Sequence, residues 1–173
     1  YTRWLFNKEF IITGDIDSIR IIDETTAKLT LRNLLIKDRR IGGALAVNLR
    51  NIEKFDKLLS AQRIEFSSKI RSYTSRSENF KYYFSRFSAR IIGATDADFS
   101  AVKISSIKSG GNIAARLSLN LYRRLDAVIK PPFAALAYSL LTGNIEANDA
   151  AVVKSFQKSG IIHILAVSGL HIG

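Results

Sequence analysis

The 173-residue chain has no cysteine, no methionine, two prolines and a single tryptophan. Without cysteine there is no disulfide framework and no thiolate metal site. Without methionine, Tyr1 is not expected to be a native start, and the chain is expected to come from something longer. No stretch reaches the roughly 18 consecutive apolar residues that span a bilayer. The longest candidate, Ile161 to Val167, is short and interrupted by His163. The opening Tyr1-Thr2-Arg3-Trp4-Leu5-Phe6 lacks the regions of a secretory signal. Tyr1 and Trp4 read either as the interfacial edge of a preceding membrane helix or as an aromatic lead-in. Acidic residues are scarce too: 15 Asp and Glu against 26 Lys and Arg leave a net charge of +11. That balance favours polyanionic partners, nucleic acid or anionic headgroups, against the plain alternative of a generically basic surface.

What is present is enough apolar material for a core. A hydrophobic fraction of 47% excludes a disordered tail. The length suits one domain with extra helices, or two small units.

Residues 9 to 106 read as β-structure. Ala27, Leu29 and Leu31 alternate with Lys28, Thr30 and Arg32, as in a half-buried strand. Leu45, Val47 and Leu49 alternate with Ala46, Asn48 and Arg50, and Ile64, Phe66 and Ile70 point inward from a third such segment. A long first strand, Phe10 to Ile22, carries Gly14 in its middle, which predicts a bend or bulge. A short strand near Ala101 to Ser105 completes five, with turns at Asp23-Glu24-Thr25 and Lys37-Asp38-Arg39-Arg40. Five short strands suit a small, partly open Greek-key barrel, and periodicity alone leaves a β-sandwich fragment open.

From Gly110-Gly111 onward the period becomes helical. Ile113, Leu117, Leu121, Leu125 and Val128 form an apolar stripe opposite Arg116, Asn120, Arg123 and Arg124. Pro131-Pro132 ends that helix. Phe133 to Leu141 predicts a second, stopped by Gly143. Asn148 predicts the N-cap of a third, which Gly160 closes.

The run Ser159-Gly160-Ile161-Ile162-His163-Ile164-Leu165-Ala166-Val167-Ser168-Gly169-Leu170-His171-Ile172-Gly173 is the most specific feature. It resembles the signature of ComEC competence proteins, inner-membrane channels for transforming DNA, in which the pattern runs sGl.HLLAvSGLHiG. Arg90-Ile91-Ile92-Gly93-Ala94-Thr95 is similar to that family's stretch before its final strand, and Leu140-Leu141-Thr142-Gly143 stands in place of its llLG. Leu58 to Arg63 departs from the family's usual turn before the fourth strand. The resemblance implies an α+β fold: a five-stranded OB-like barrel over 9–106, preceded by a lead-in or membrane-segment end over 1–8. A three-helix connector and the start of the membrane domain follow over 107–173.

Between residues 63 and 90, seven basic residues (Arg63, Lys69, Arg71, Arg76, Lys81, Arg86 and Arg90) face only Glu65 and Glu78. Tyr73, Tyr82 and Tyr83 are interleaved with them, beside Phe80, Phe84 and Phe87, whose helical spacing fits core packing. Single-stranded nucleic acid wants this mixture, because cations track phosphates while aromatic faces accept any base. Candidate nucleic-acid contacts are therefore Arg63, Lys69, Arg71, Tyr73, Arg76, Lys81, Tyr82, Tyr83, Arg86 and Arg90. His163 and His171 have no carboxylate or thiol at ligand spacing, so no metal site is expected. Ser168 and His171 lack a third orienting group, and residues 166 to 170 miss both glycines of a nucleophile elbow. No catalysis and no cofactor are expected. His163, Ser168, Gly169 and His171 read as architectural, with Gly169 allowing a backbone break whose polar groups Ser168 and His171 satisfy.

The resemblance implies an extracytoplasmic, DNA-guiding part of a channel in a bacterial inner membrane. The implied partners are single-stranded or entering double-stranded DNA, the rest of the channel, and other competence proteins. Two other readings are a structural ectodomain without nucleic-acid affinity and a peripheral module held to anionic lipid.

Overall fold

A computed structural model of the chain describes residues 8–71, 91–107 and 112–162. The chain divides into two compact units, Tyr1–Ile19 with Thr25–Asn112, and Arg20–Glu24 with Ile113–Gly173.

The first unit is built on β1 (Glu9–Ile21), β2 (Ala27–Ile36), β3 (Arg39–Ile41), β4 (Ala44–Arg50), β5 (Ala61–Lys69), β6 (Ile91–Asp98) and β7 (Lys103–Ile107). They form one seven-stranded sheet in the order β6-β4-β2-β1-β5-β7, with β3 paired to β2 off this path. The β4/β6 pair is parallel, whereas β1/β5, β2/β4 and β5/β7 are antiparallel. The alternation in the sequence points the right way: Leu29, Leu31, Leu45, Val47, Leu49, Ile64, Phe66 and Ile70 are all buried, joined by Phe10 and Ile12. Each such side chain contributes roughly 1.5–3 kcal/mol by leaving water. Ala46, expected outside, is also buried. It pairs with Thr30 on one side and Ala94 on the other.

The expected partly open, five-stranded barrel is not confirmed: the sheet is open and has seven strands. Lys37 and Asp38 both take left-handed φ values, 50° and 59°. That is the two-residue hairpin turn matched to strand twist, so Arg39 to Ile41 pair back on Leu34 to Ile36 instead of prolonging a loop. The stretch Ile91–Asp98 is a full strand; its buried positions are Gly93 and Thr95, which carry no hydrophobic signal. Ahead of β5, residues 55 to 60 form a short helix, α1 (Phe55–Ser60), which buries Phe55, Leu58 and Leu59 and runs directly into Ala61. Gly14 makes no bulge in the unbroken β1/β5 register. Its role is close approach, because a Cβ there would stand 3.1 Å from both Leu31 Cβ and Leu34 Cδ2.

The second unit contains α2 (Ile113–Val128), α3 (Phe133–Thr142) and α4 (Ala150–Lys158). The stripe expected to be its core is not. Ile113, Leu117 and Val128 are exposed, while α2 buries Ala115, Leu119 and Tyr122. The helix carries two apolar faces, and the one with an aromatic and small residues is packed. Tyr122 meets Tyr138 edge-on with ring centroids 5.2 Å apart, and the Tyr138 hydroxyl is hydrogen-bonded to Ser118. Gly143 closes α3 in the left-handed conformation, at φ 70°. The N-cap of α4 is Asp149, not Asn148. Asn148 is drawn off to Ser139, to whose hydroxyl its amide donates, and Ser139 in turn donates to the Asn144 carbonyl. Among the described residues, no helix is long and apolar enough to cross a membrane.

Candidate functional site

The open sheet leaves a seam between β5 and β6. One isolated antiparallel bridge crosses it, at Arg71 and Ala94, through backbone bonds of 2.8 Å and 3.0 Å. The rest of the seam is held by side chains. Thr95, fully buried, donates its hydroxyl to the Lys69 carbonyl at 2.9 Å, with the Ser68 hydroxyl beside it. Ser68 also donates to the Asp96 carbonyl at 2.8 Å. Asp96 is the charged hub beside them. It accepts from Asn48 at 2.9 Å and from the Arg71 guanidinium, with Arg50 at 3.9 Å.

Over this seam lies an open groove of ≈ 630 Å³, lined by Glu9, Ser67, Ser68, Lys69, Arg71 and Asp96. The Lys69 ammonium and the Arg71 guanidinium are donors of the kind phosphate oxygens accept, while the Ser67 and Ser68 hydroxyls already donate to Glu9 and to the Asp96 carbonyl. Asp96 is opposed by the Arg71 guanidinium, whereas Glu9 accepts a hydrogen bond from Ser67 at 3.1 Å and keeps its negative charge on the groove.

The candidate contacts fall into three groups. Arg63, Lys69 and Arg71 are described, and Lys69 and Arg71 are exposed on the groove. Arg63 is ion-paired with Asp15 at 2.6 Å. Lys69 forms no ion pair among the described residues. Tyr73, Arg76, Lys81, Tyr82, Tyr83, Arg86 and Arg90 lie outside the described residues, as do His163, Ser168, Gly169 and His171. Other outward cations of the sheet are also matched across strands, Arg32 with Asp17 at 2.9 Å and Lys103 with Glu65 at 4.0 Å. Parity along one strand could not reveal these pairs, because they depend on register between strands.

Asp98 follows at the end of β6. Its carboxyl is held below the usual range by hydrogen bonds from the Ser100 hydroxyl, Asn51 and the Ser100 backbone. This turn ties the end of β6 to Asn51 just past β4. Among the described residues, no group of three or more His, Cys, Asp or Glu side chains is placed to hold a metal ion.

In the second unit, the descriptive geometry runs from the end of α3 through the left-handed Gly143, a 3-10 turn at Ile145–Ala147 and α4. Residues 140–173 match the family model described as Competence protein. That match begins in α3 and takes in the Gly143 turn, α4 and the run Ser159 to Gly173. No curated protein matches the chain.

Proposed function

We propose that this chain is the DNA-handling, extracytoplasmic part of a ComEC-like channel that takes up single-stranded transforming DNA across a bacterial inner membrane. The carrying observation is the Competence match over residues 140–173, which speaks for DNA-uptake competence. Ahead of it stands a separate β unit whose groove is lined by Ser67, Ser68, Lys69 and Arg71. The path β6-β4-β2-β1-β5, with its parallel β4/β6 pair and its single Arg71–Ala94 bridge, supports reading that unit as an OB-like, partly open barrel. Such barrels bind single strands through a basic groove and stacked aromatic rings. In this reading DNA follows residues 63 to 90, with Lys69 and Arg71 at the groove and the tyrosines Tyr73, Tyr82 and Tyr83 as base platforms. In this reading the chain performs no catalysis and needs no cofactor. Its partners are DNA, the rest of the channel and other competence proteins.

A second reading has an observation of its own. Arg32, Arg63, Arg71 and Lys103 are all matched to carboxylates across strands. That pattern favours a structural ectodomain which braces the channel without touching DNA.

Fluorescence anisotropy with a labelled 20-nucleotide single strand, titrated from low to moderate salt, separates the two. DNA handling requires measurable binding and a steep salt dependence, about 0.7 log unit per phosphate contact per decade of salt. Lys69→Gln, Arg71→Gln, Arg76→Gln and Lys81→Gln combined should weaken binding and flatten that slope while the circular dichroism stays unchanged. No binding at low salt leaves the structural reading.

A further inference from the structure

Among the described residues, several exposed cations of this unit form no ion pair, and five of them gather at one end of the sheet. Glu9 and Lys69 are direct cross-strand partners at the start of β1. Lys8 precedes Glu9 in the chain. The Lys37 ammonium lies 5.0 Å from the centroid of the Phe10 ring, which anchors the β2–β3 turn beside the first residues of β1. Lys37 and Glu9 line a second groove of ≈ 380 Å³, so Glu9 borders both this groove and the seam groove that holds Lys69. Lys8, Lys37 and Lys69 form no ion pair among the described residues, and Arg39 and Arg40 extend the same hairpin, likewise exposed and unpaired.

Resting on the DNA-handling reading, we propose that the single strand crosses the end of the sheet instead of running along β5 alone. It passes from Lys69 over Glu9 to Lys8 and the β2–β3 hairpin. Phosphates meet Lys69, Lys8 and Lys37, and the hairpin arginines take the next ones. Glu9 stands in the middle of this path as a like charge. Its repulsion keeps the hold loose, which suits a strand that must move on. The second groove also contains Asp38 and Glu65. They keep the backbone on the lysine rim above it and out of the groove itself.

The far end of the sheet supplies matched controls. The Ile52 amide donates to the Thr25 carbonyl at 2.8 Å, so the segment with Glu53, Lys54 and Lys57 sits by the first residues of β2, a ten-residue strand away from Lys37. These three side chains are exposed.

The test is single-strand affinity against salt for the whole chain and four variants. Lys8→Gln/Lys37→Gln should lower the salt slope by about 1.4, two contacts at about 0.7 each. Lys54→Gln/Lys57→Gln removes the same charge and should lower it much less. Glu9→Gln should tighten binding by about threefold or more, as removal of one close like charge in a partly screened site does, while Glu53→Gln should change it little. If the parent chain binds no DNA, both this path and the DNA-handling reading fall. If it binds, yet the two lysine pairs weaken it equally or Glu9→Gln does not tighten it, the path alone is overturned. Sedimentation with phosphatidylglycerol vesicles that is lost in Lys8→Gln/Lys37→Gln, with oligonucleotide affinity unchanged, also overturns it and gives the patch to lipid.

Discussion

Removing one hydroxyl should loosen the seam. Thr95→Val keeps the size and β-branching of a fully buried side chain but deletes the group that donates to the Lys69 carbonyl and meets Ser68. Ser68 keeps its bond to the Asp96 carbonyl, so its loss is small. The Lys69 carbonyl loses the Thr95 donor. A net hydrogen bond is worth about 0.5–1.5 kcal/mol, and a buried acceptor left without a partner costs about 1–3 kcal/mol. Valine returns at most about 1 kcal/mol through strand preference and apolar burial. The balance is a destabilisation of about 1–3 kcal/mol, felt first where β5 meets β6. Native-state hydrogen exchange reads it at the Arg71 and Ala94 amides, the two donors of the bridge. Their exchange should accelerate roughly 5- to 150-fold, at tenfold per about 1.4 kcal/mol. Amides of the β2/β4 ladder should respond less. Thr95→Ser keeps the hydroxyl and should leave the bridge amides near their original rates. Unchanged exchange at Arg71 and Ala94 in Thr95→Val would refute the claim that side chains hold the seam.

Two further perturbations address the rest of the molecule. Gly14→Ala should lower the urea midpoint: Leu34 can swing its methyl away, but Leu31 Cβ is fixed to the neighbouring strand. Overpacking of about 1–3 kcal/mol outweighs the roughly 0.4–1 kcal/mol gained from a stiffer unfolded chain, and a raised midpoint would contradict the close-approach role. Tyr122, nearly buried on α2, has its pKa raised first by burial and then by the charges of Asp126, Asp23 and Glu24. The folded state thus stays neutral while the unfolded chain ionises near its ordinary value of 10.0. Its contribution is whole below that pH and is lost as pH rises through the folded pKa. Melting temperatures of the parent chain should therefore fall more steeply between pH 9 and 11 than those of Tyr122→Phe; parallel curves would remove the effect.

The sequence spoke clearly where one element carried one apolar face. The large apolar residues at alternate positions of β2, β4 and β5 are the observed core, although β4 also buries Ala44 and Ala46. It spoke poorly where the packed face is built from residues with weak hydrophobic signal. Gly93 and Thr95 hide β6, and Ala115 and Tyr122 lose to the more obvious leucine row on α2. The β2–β3 hairpin was obscured because Lys37 and Asp38 are not the usual glycine-bearing turn pair. At the candidate site, the outward parity of Lys69 and Arg71 was readable from β5 alone. The partner that neutralises Arg71 was not, because Asp96 is 25 residues away in sequence and reaches it only across the seam.

The Arg71–Ala94 bridge has a consequence for how this chain can change over time. The bridge holds Arg71 close to Ala94, residues well apart in the sequence. The cost of closing such a stretch of chain grows only with the logarithm of its length, about 0.6 kcal/mol per doubling. Residues between the pinned ends can therefore be lengthened, shortened or rewritten at little expense to the sheet. The seam acts as a mounting point: the described strands settle the sheet, and the sequence between Arg71 and Ile91 can vary in length without moving them.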